Sequence, residues 1–520
     1  MKTPQLTYLK LQPKIVNTKI QMLRTWQGDV LAIVAGAIIP LAFAPYDLPF
    51  LALLSMILLM LTWSGVSNGR AFFRGWIYGL SMFGIGISWV HISMNQFGGI
   101  DIPLALFLTS LFVMFYSLFP AITGYCARRF SSTGKHQLAR EYLLIIPAFW
   151  VLFEWVKGWL FTGLPWLTVG YSQIDMPISG FAPLFGVYSV SFALVLSAGL
   201  IVYWILSGVS ATKYAIPALV VVWLVPGLFN LVAWSEPVDK PIKVSMIQGN
   251  IPQDKKWLPQ QRQPTLDLYT RLSREHWDSD LVIWPETAIP ALYHQVQPFL
   301  NDLAQEARMN SSELLVGLAV YNQRENEYFN SMLSLGLSEA FYEKKHLVPF
   351  GEYLPLKEWL GDIIDFFDIP MSNFVPGRQE KPLLSLAGQQ VGISICFEDV
   401  FGEEVIDAIP EATLLINASN DAWFGDSIAA PQHLQIARMR SLETARYLLR
   451  STNTGVSAII NDKGKILAKS PQFEVHVLTG EIQPMTGMTP YSVFANIPII
   501  LCILMMLIAA YVLGRKNTDS

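Results

Sequence analysis

Long apolar runs occupy most of the first half of the chain and recur at its end. A bilayer core is about 30 Å thick, so a spanning helix needs roughly 20 predominantly apolar residues. Eight stretches reach or approach that length, near residues 29–46, 48–65, 71–93, 103–126, 142–160, 181–207, 214–233 and 495–514. The pattern predicts a membrane domain over 29–233 with about seven helices, followed much later by a final transmembrane helix over 491–514. The first two stretches are also compatible with one broken span.

Between residues 234 and 490 the pattern changes to mixed charge, turns and short apolar runs. Strand-like runs lie at 243–248, 280–284, 313–320, 390–396, 413–417 and 455–461. Helix-like runs lie at 262–276, 296–309 and 433–449. Strands that alternate with helices over this length predict a layered α/β domain.

Composition supports the division into a membrane part and a water-exposed part. Of the 520 residues, 52% are hydrophobic and 15% are charged, whereas soluble domains average about 25% charged residues. The formal net charge of −4 does not favour a nucleic-acid partner. The three cysteines are far apart in the sequence, and no metal-ligand cluster or phosphate-binding glycine loop is visible. We therefore expect neither a metal nor a cofactor.

Basic residues in the short connections predict how the helices are oriented. Lys and Arg occur in the N-terminal segment 1–28, in the second, fourth and sixth loops, and in the tail 515–520, but not in the first or third loop. The positive-inside rule then places both termini in the cytoplasm and residues 234–490 outside, which in a bacterium is the periplasm. Eight spans satisfy this orientation; seven would separate the termini. The first apolar stretch is too long for a cleaved signal peptide, so we expect a retained anchor in the inner membrane.

Three segments of the long loop carry residues suited to acyl transfer. Cys396 ends an apolar strand, and a helix N-terminus there would favour the reactive thiolate. Glu286 follows a buried strand that ends in Trp-Pro, and Lys344 precedes the segment Leu-Val-Pro-Phe-Gly-Glu. Taken singly, each has a simpler explanation: a buried core cysteine, a solvated turn residue and a charged surface loop.

Together and in this order, the three segments resemble the nitrilase superfamily over roughly residues 240–485. The resemblance implies an α-β-β-α sandwich with a catalytic triad of Glu286, Lys344 and Cys396. The spacing Tyr-x-Lys-x-x-Leu-Val-Pro-Phe-Gly-Glu selects Lys344 rather than its neighbour Lys345. The resemblance also implies supporting residues around the site, namely Trp257, Glu352, Phe397 and Glu398. Two further residues, Trp166 and Trp423, are candidates for substrate contact.

The membrane half narrows the resemblance to the apolipoprotein N-acyltransferase family of Gram-negative bacteria. Further segments carry it: 161–166, 170–173, 248–253 with Trp257, 420–425 and 450–453. Phe397 is a departure, since many relatives have Tyr there. The resemblance implies that an acyl chain passes from a membrane phospholipid, phosphatidylethanolamine by expectation, to the α-amine of a diacylglyceryl-cysteine at a lipoprotein N-terminus. A thioester on Cys396 would be the intermediate.

The triad residues then have expected roles. Cys396 is the nucleophile, and Glu286 is the general base for the thiol proton and later for the amine proton. Lys344 would lower the thiol pKa and donate to the oxyanion. Glu352 and Glu398 are candidates for orienting Lys344 or the incoming amine.

Several other residues leave two interpretations open. Glu154 and Lys157, inside the fifth span, are a functional site or, more simply, a buried ion pair. Trp166 contacts lipid headgroups or belongs to an aromatic belt. Trp423 gates the acyl chain or packs in a core. Four arginines are most simply a solvated or phosphate-facing helix surface: Arg438, Arg440, Arg446 and Arg450.

Two other classes of protein share some of these features. A membrane-tethered amidase acting on small amides would have the same triad but would not need so many spans. A transporter or receptor with an external binding domain would keep its function after Cys396→Ser, and it would need a polar path through spans that show few polar residues.

Overall fold

A computed structural model describes residues 23–131, 137–353 and 374–516. These described residues form two compact units: a helical unit (23–88, 108–131, 137–231 and 496–516) and a sheet unit (89–107, 232–353 and 374–495). Most of the predicted cytoplasmic N-terminal segment (residues 1–22) and the end of the tail (residues 517–520) lie outside the described residues, as does the basic residue Lys135 of the fourth loop.

Every predicted apolar stretch contains at least one helix. In chain order these helices are Trp26–Ile38, Phe50–Trp63, Asn68–Gly86, Ile102–Tyr116 with Leu118–Arg129, Ile146–Lys157, Val187–Ser207, Thr212–Phe229 and Ile497–Lys516. The first two stretches are therefore separate helices rather than one broken helix. Predominantly apolar sequence explains their formation, because a helix satisfies its own backbone polar groups away from water.

Fewer helices than predicted are long enough to cross a bilayer alone. Within the described residues, four helices are long and apolar enough to cross a membrane: Ile102–Arg129, Val187–Ser207, Val209–Phe229 and Ile497–Arg515. A fifth span is counted if Asn68–Gly86 and Val90–Phe97 are taken as one. The number of eight spans stays a prediction.

The strands of the sheet unit form two large sheets and one small one. Their bounds are β1 Glu236–Pro237, β2 Ile242–Gln248, β3 Leu281–Ile283, β4 Ile289–Leu292, β5 Glu313–Asn322, β6 Glu327–Leu335, β7 Ala340–Glu343, β8 Leu383–Leu386, β9 Gln389–Ile395, β10 Leu414–Ser419, β11 Leu448–Thr452, β12 Ala458–Ile460, β13 Ile466–Lys469, β14 His476–Ile482 and β15 Met485–Thr486. One sheet has the order β14-β2-β3-β5-β6-β7, with β4 beside β5; the other has the order β13-β12-β11-β10-β9-β8. Strands β2, β3 and β5 are parallel, as are β9, β10 and β11.

The two large sheets pack face to face and are covered by helices. Ile283 and Leu315 of the first sheet share a buried core with Ile393 and Ile416 of the second. On the outer face of the first sheet, apolar residues of the helices Pro259–Arg274 and Tyr293–Met309 join the core; the helix Ala429–Thr444 covers the second sheet. Alternate side chains of a strand point to opposite faces, so each sheet can support both layers. The α-β-β-α sandwich is confirmed.

One predicted helix is wrong at its end. The run 433–449 is helical only as far as Thr444, and Ala445 adopts a left-handed conformation (φ 51°) that terminates the helix. Residues Leu448–Thr452 form β11, paired with both β10 and β12. Pairing on both edges outweighs the local helical pattern. Arg450 therefore lies on a central strand and not on a helix surface.

Candidate active site

Glu286 is held in a tight turn at the end of β3. The indole nitrogen of Trp284 donates to Ser273 Oγ at 2.9 Å and anchors the start of the turn. A Cβ at Gly317 of β5 would lie 2.3 Å from the carbonyl oxygen of Pro285, so a glycine is needed for the turn to pack this closely. The Glu286 side chain is consequently buried, with 7% of its surface exposed, and is not a solvated turn residue.

Lys344 follows β7 and points into a cluster of carboxylates. Its Nζ lies 2.8 Å and 2.9 Å from the two carboxylate oxygens of Glu352, and 3.9 Å from Oε1 of Glu286. Only 1% of Lys344 is exposed. Burial by itself lowers the pKa of Lys344, but the negative charges of Glu352 and Glu286 outweigh it and raise the pKa above its usual value. Lys344 is therefore a fixed cation.

Asn330 on β6 joins the two carboxylates, and the sequence interpretation missed it. Its Nδ2 donates to Glu286 Oε1 at 2.8 Å and to Glu352 Oε1 at 2.9 Å, while its backbone carbonyl oxygen accepts from the Lys344 backbone N–H at 2.8 Å. A buried amide needs hydrogen-bond partners. An asparagine in the middle of a strand was the signal that could have found it.

Cys396 begins a short 3-10 helix (Cys396–Val400) directly after β9. Its φ of +51° is uncommon for a non-glycine residue, and such strain persists where the surroundings enforce it. Its carbonyl oxygen accepts from Asn417 Nδ2 at 3.1 Å, which fixes the backbone of the turn. The residue is 8% exposed.

The electrostatic environment of Cys396 differs from the one we expected. Burial, together with the nearby charge of Glu286, raises the pKa of the thiol; Lys344 opposes this shift but does not reverse it. Burial also raises the pKa of Glu286, against the effect of Lys344. The thiol of Cys396 is thus neutral at rest, and a nucleophilic role would require a base that removes its proton as the sulfur attacks.

Glu398 fastens the Cys396 turn to the Lys344 segment. Its carboxylate accepts from the backbone N–H groups of Ile395 at 2.6 Å, Lys345 at 2.7 Å and His346 at 3.2 Å, and from the hydroxyl of Tyr342 at 2.9 Å. Burial raises the pKa of Glu398 to about 7. In this structure Glu398 orients the backbone on both sides of the site, not the ammonium group of Lys344 through a direct bond.

The other predicted supporting residues are not all brought to the triad. Phe397 is half-buried, with its ring 5.1 Å from that of Phe401 and 5.9 Å from that of His346. Trp257 is 37% exposed, and among the described residues no hydrogen bond joins it to Glu286, Lys344 or Cys396. Trp166 belongs to the helical unit, where it is buried and its carbonyl oxygen accepts from Lys157 at 2.6 Å.

Trp423 and Phe424 each contact an aromatic ring from residues 89–97. Trp423 lies edge-on to Phe97 with ring centroids 5.5 Å apart, and Phe424 lies edge-on to Trp89 at 4.6 Å. Within the predicted third span, 71–93, the long helix stops at Gly86, and Val90–Phe97 forms short helices that belong to the sheet unit. Aromatic packing accounts for Trp423 in this structure, and a gating role stays a prediction.

A second buried lysine contacts the Glu286 turn. The Nζ of Lys256 lies 2.7 Å from Thr287 Oγ1 and 3.3 Å from the carbonyl oxygen of Glu286, and 1% of the residue is exposed. Burial lowers its pKa to about 8, partly offset by the charge of Glu286. The sequence interpretation selected the adjacent Trp257 and passed over this residue.

The prediction of an arginine-rich surface is wrong, because three of the four arginines are buried. Arg440, Arg446 and Arg450 have almost no exposed surface. Arg450 donates to Asn417 Oδ1 at 2.6 Å and to Asp421 at 3.0 Å. Since Asn417 also binds the Cys396 carbonyl, Arg450 supports the nucleophile turn from beneath, as buried charges do when they are paired.

The ion pair predicted between Glu154 and Lys157 does not form in the helical unit. Glu154 Oε1 instead accepts from the backbone N–H of Val169 at 2.9 Å, and Lys157 donates to the carbonyl oxygen of Trp166. Both charged groups hold the loop that follows their helix. In the described part of the chain no group of three or more His, Cys, Asp or Glu side chains could hold a metal ion.

Comparison with known proteins gives matches along most of the chain. Residues 35–200 match the family model described as apolipoprotein N-acyltransferase N-terminal domain, and residues 243–491 match the carbon-nitrogen hydrolase model. A relative from Methylococcus capsulatus named apolipoprotein N-acyltransferase is 44% identical, covering 91% of this chain and 93% of its own. One of the same name from Nitrosomonas europaea is 42% identical, covering 92% and 96%. Among solved structures, Nit3 of Saccharomyces cerevisiae, a nitrilase-superfamily member, is 18% identical with a TM-score of 0.36, covering 48% of this chain and 93% of its own.

Proposed function

The chain belongs to the apolipoprotein N-acyltransferase family, and on that premise we propose how its residues carry out the N-acylation of apolipoproteins. A phospholipid is the acyl donor and a lipoprotein is the acceptor. The proposal concerns the triad, the two-stage course of the reaction, the identity of the donor and the side of the membrane on which it takes place.

The observation that carries the proposal is the position of Lys344 between two carboxylates. Glu352 neutralises the ammonium group at 2.8 Å, whereas Glu286 lies 3.9 Å away, too far for a close ion pair. Oε2 of Glu286 is buried and has no hydrogen-bond partner among the described residues. One carboxylate thus holds the cation, and the other keeps an oxygen available to accept a proton.

In the first stage, Glu286 takes the proton of the Cys396 thiol as the sulfur attacks the ester carbonyl of the phospholipid. The tetrahedral oxyanion is stabilised by the fixed positive charge of Lys344. The ester C–O bond then breaks, and the lysophospholipid leaves with the proton from Glu286. The product on the protein is a thioester at Cys396.

In the second stage, the α-amine of the diacylglyceryl-cysteine attacks the thioester carbonyl. Glu286 takes a proton from the amine, the C–S bond breaks, and the sulfur recovers its proton from Glu286. The new bond is an amide, and the free thiol is restored. Because the first product leaves before the acceptor reacts, the kinetics are ping-pong. Water competes with the amine, so the acyl chain should lie in an apolar environment.

We assign phosphatidylethanolamine as the donor, with the ester at its first position, and place the reaction on the periplasmic side of the inner membrane. The distribution of Lys and Arg supports this orientation, with both termini in the cytoplasm. A small-amide amidase has only a distant fold relation in its favour and does not account for the match over residues 35–200. The same match leaves a transporter or receptor without support.

The test is the intact mass of the full-length protein after incubation with defined phosphatidylethanolamine in detergent. The expected result is a gain of one acyl chain that neutral hydroxylamine removes and that Cys396→Ala does not show. Cys126→Ala is the matched control and should still gain the chain. A diacylated lipopeptide added afterwards should discharge the adduct and become acylated on its amine.

Two results would contradict the proposal. A folded, lipid-binding protein that gains no mass would exclude the thioester. A gain that persists in Cys396→Ala would place the nucleophile elsewhere.

A further inference from the structure

Lys256 is a buried cation beside Glu286 that the proposed reaction does not use. It is the last residue of the short helix Gln253–Lys256, and both of its neighbours, Lys255 and Trp257, are exposed. Burying an ammonium group is costly unless it is hydrogen-bonded and compensated by a negative charge. The arrangement therefore calls for a nearby anion.

The direct partners of Lys256 are neutral. Its Nζ contacts the Thr287 hydroxyl at 2.7 Å and the carbonyl oxygen of Glu286 at 3.3 Å. The negative charge that acts on it is the Glu286 carboxylate. Lys256 thus binds the backbone of Glu286, and the side-chain carboxylate of the same residue compensates the charge of Lys256.

The surroundings of Glu286 explain why a second cation is useful there. The carboxylate is buried, so it loses the hydration that normally favours its charged form. Lys344 supplies a positive charge, but it lies closer to Glu352, which is itself a like charge for Glu286. Asn330 contributes one hydrogen bond to Oε1. A further cation nearby shifts the balance toward the ionised form of Glu286.

The backbone of the turn also depends on an anchor. Thr287 has a φ of +45°, a conformation that non-glycine residues seldom adopt. Lys256 bonds to both residues of this strained unit, the carbonyl of Glu286 and the side chain of Thr287. Losing both bonds would release the turn that aims the Glu286 carboxylate.

We propose that Lys256 is a positioning residue for Glu286: its ammonium group anchors the Glu286–Thr287 turn and keeps the carboxylate ionised, and therefore able to accept the thiol proton. The inference rests on the proposed role of Glu286 as the general base. It assigns to this buried lysine an electrostatic function in the first stage of the reaction.

The inference predicts a specific change in pH dependence. The charged or titratable groups that act on Glu286 are Lys344, Glu352, Lys256 and the Cys396 thiol. Removing the positive charge of Lys256 raises the pKa of Glu286, so a higher pH is needed to ionise the base. Because the pKa of Lys256 is lowered to about 8, the wild-type protein also loses this charge in alkaline solution, where Glu286 is already ionised. The difference between variant and wild type should therefore vanish there.

The experiment measures the rate of thioester formation on the full-length protein in detergent, with phosphatidylethanolamine, across a range of pH. Lys256→Met and Lys256→Gln remove the charge, and Gln keeps a donor for Thr287. Both variants should move the acidic limb of the pH–rate profile to higher pH by about one unit, which is about a tenfold loss of rate at the acidic end. Lys255→Met, which removes the exposed charge of the adjacent residue, should leave the pH–rate profile unchanged. Lys256→Arg should preserve the position of the acidic limb of that profile.

The outcomes separate this inference from the proposed function. If the wild-type protein forms no thioester, the proposed function fails. If it does, and both neutral variants lose rate by the same factor at every pH or lose none, the inference is overturned. It is equally overturned if only Lys256→Arg stays folded and monodisperse, since Lys256 would then serve folding alone.

Discussion

The ammonium nitrogen of Lys344 lies 2.8 Å and 2.9 Å from the two carboxylate oxygens of Glu352, and both side chains are largely buried. An ion pair at this distance holds the ammonium group of Lys344 in one position and also keeps it charged. It also helps to raise the pKa of Lys344 above its usual value, so this residue stays charged at neutral pH. Proton transfer is therefore left to Glu286.

Replacing Glu352 by Gln should slow thioester formation without removing the thiol. The substitution removes one charge-assisted interaction worth about 2 kcal/mol, equivalent to about a 30-fold loss of rate. Lys344 would then be drawn toward Glu286 and would neutralise the base. Rates from intact mass, compared with Glu325→Gln at an exposed ion pair, would check this. An unchanged rate in Glu352→Gln would mean that Glu352 does not position Lys344.

Replacing Asn330 by Asp should be more harmful to the reaction than its small change in volume suggests. The amide nitrogen that now bonds Glu286 and Glu352 would become a third acidic oxygen between them. Like charges at such distances raise one another's pKa by a unit or more, so the rate at neutral pH should fall about tenfold or more. Asn310→Asp, at an exposed position, is the control. A partial recovery of rate at higher pH would support the electrostatic explanation; a pH-independent loss would argue against it.

Replacing Glu398 by Gln should lower the thermal stability of the protein, by an amount that depends on pH. A Gln amide would direct N–H groups at the backbone donors of Ile395 and Lys345, an effect of about 1–3 kcal/mol. The folded-state pKa of Glu398 is about 7, above its unfolded value, so its contribution to stability is fully present below the unfolded pKa and is lost as pH rises through about 7.

The advantage of wild type over Glu398→Gln should accordingly narrow between about pH 5 and about pH 8. Melting temperatures of the purified proteins in detergent would measure it, with Glu411→Gln as the exposed control. A gap that widens with pH would show that the hydrogen bonds to the carboxylate outweigh its burial.

Two cysteine substitutions should be labelled from opposite sides of the inner membrane. Met309 is the last residue of the helix Tyr293–Met309 in the sheet unit, and Val209 lies in the sixth loop; both side chains are exposed. In cells with a permeable outer membrane, an impermeant maleimide should label Met309→Cys but label Val209→Cys only after lysis. Both substitutions are made in a background that lacks Cys126 and Cys502. Cys396 is kept in that background, because it is buried. Labelling in the reverse order would invert the proposed topology.

Local patterns predicted about half of the sheet unit, because those strands are short apolar runs between turn residues. The predicted runs overlap β2, β3, β5, β9, β10 and β12, and the Trp-Pro end of β3 correctly indicated where Glu286 leaves the sheet. No run was predicted for β4, β6, β7, β8, β13 or β14. At Leu448–Thr452, the end of a run predicted to be helical forms a strand instead. This strand forms because β10 and β12 pair with its two edges. The local pattern of residues carries no information about that pairing.

The sequence by itself determined the division into apolar helices and an α/β domain, the positions of Glu286 and Cys396 at strand ends, the choice of Lys344 over Lys345, and the family to which they point. These features depend on residue type and spacing, which a single chain displays directly. The tertiary structure alone decided which groups surround them. Asn330, Lys256 and Arg450 come from separate segments and become buried only when the sheets and helices pack and exclude water. Burial strengthens the effect of each charge or amide on its neighbours. The same burial raises the pKa of Cys396 instead of lowering it, a reversal that no local sequence pattern could indicate.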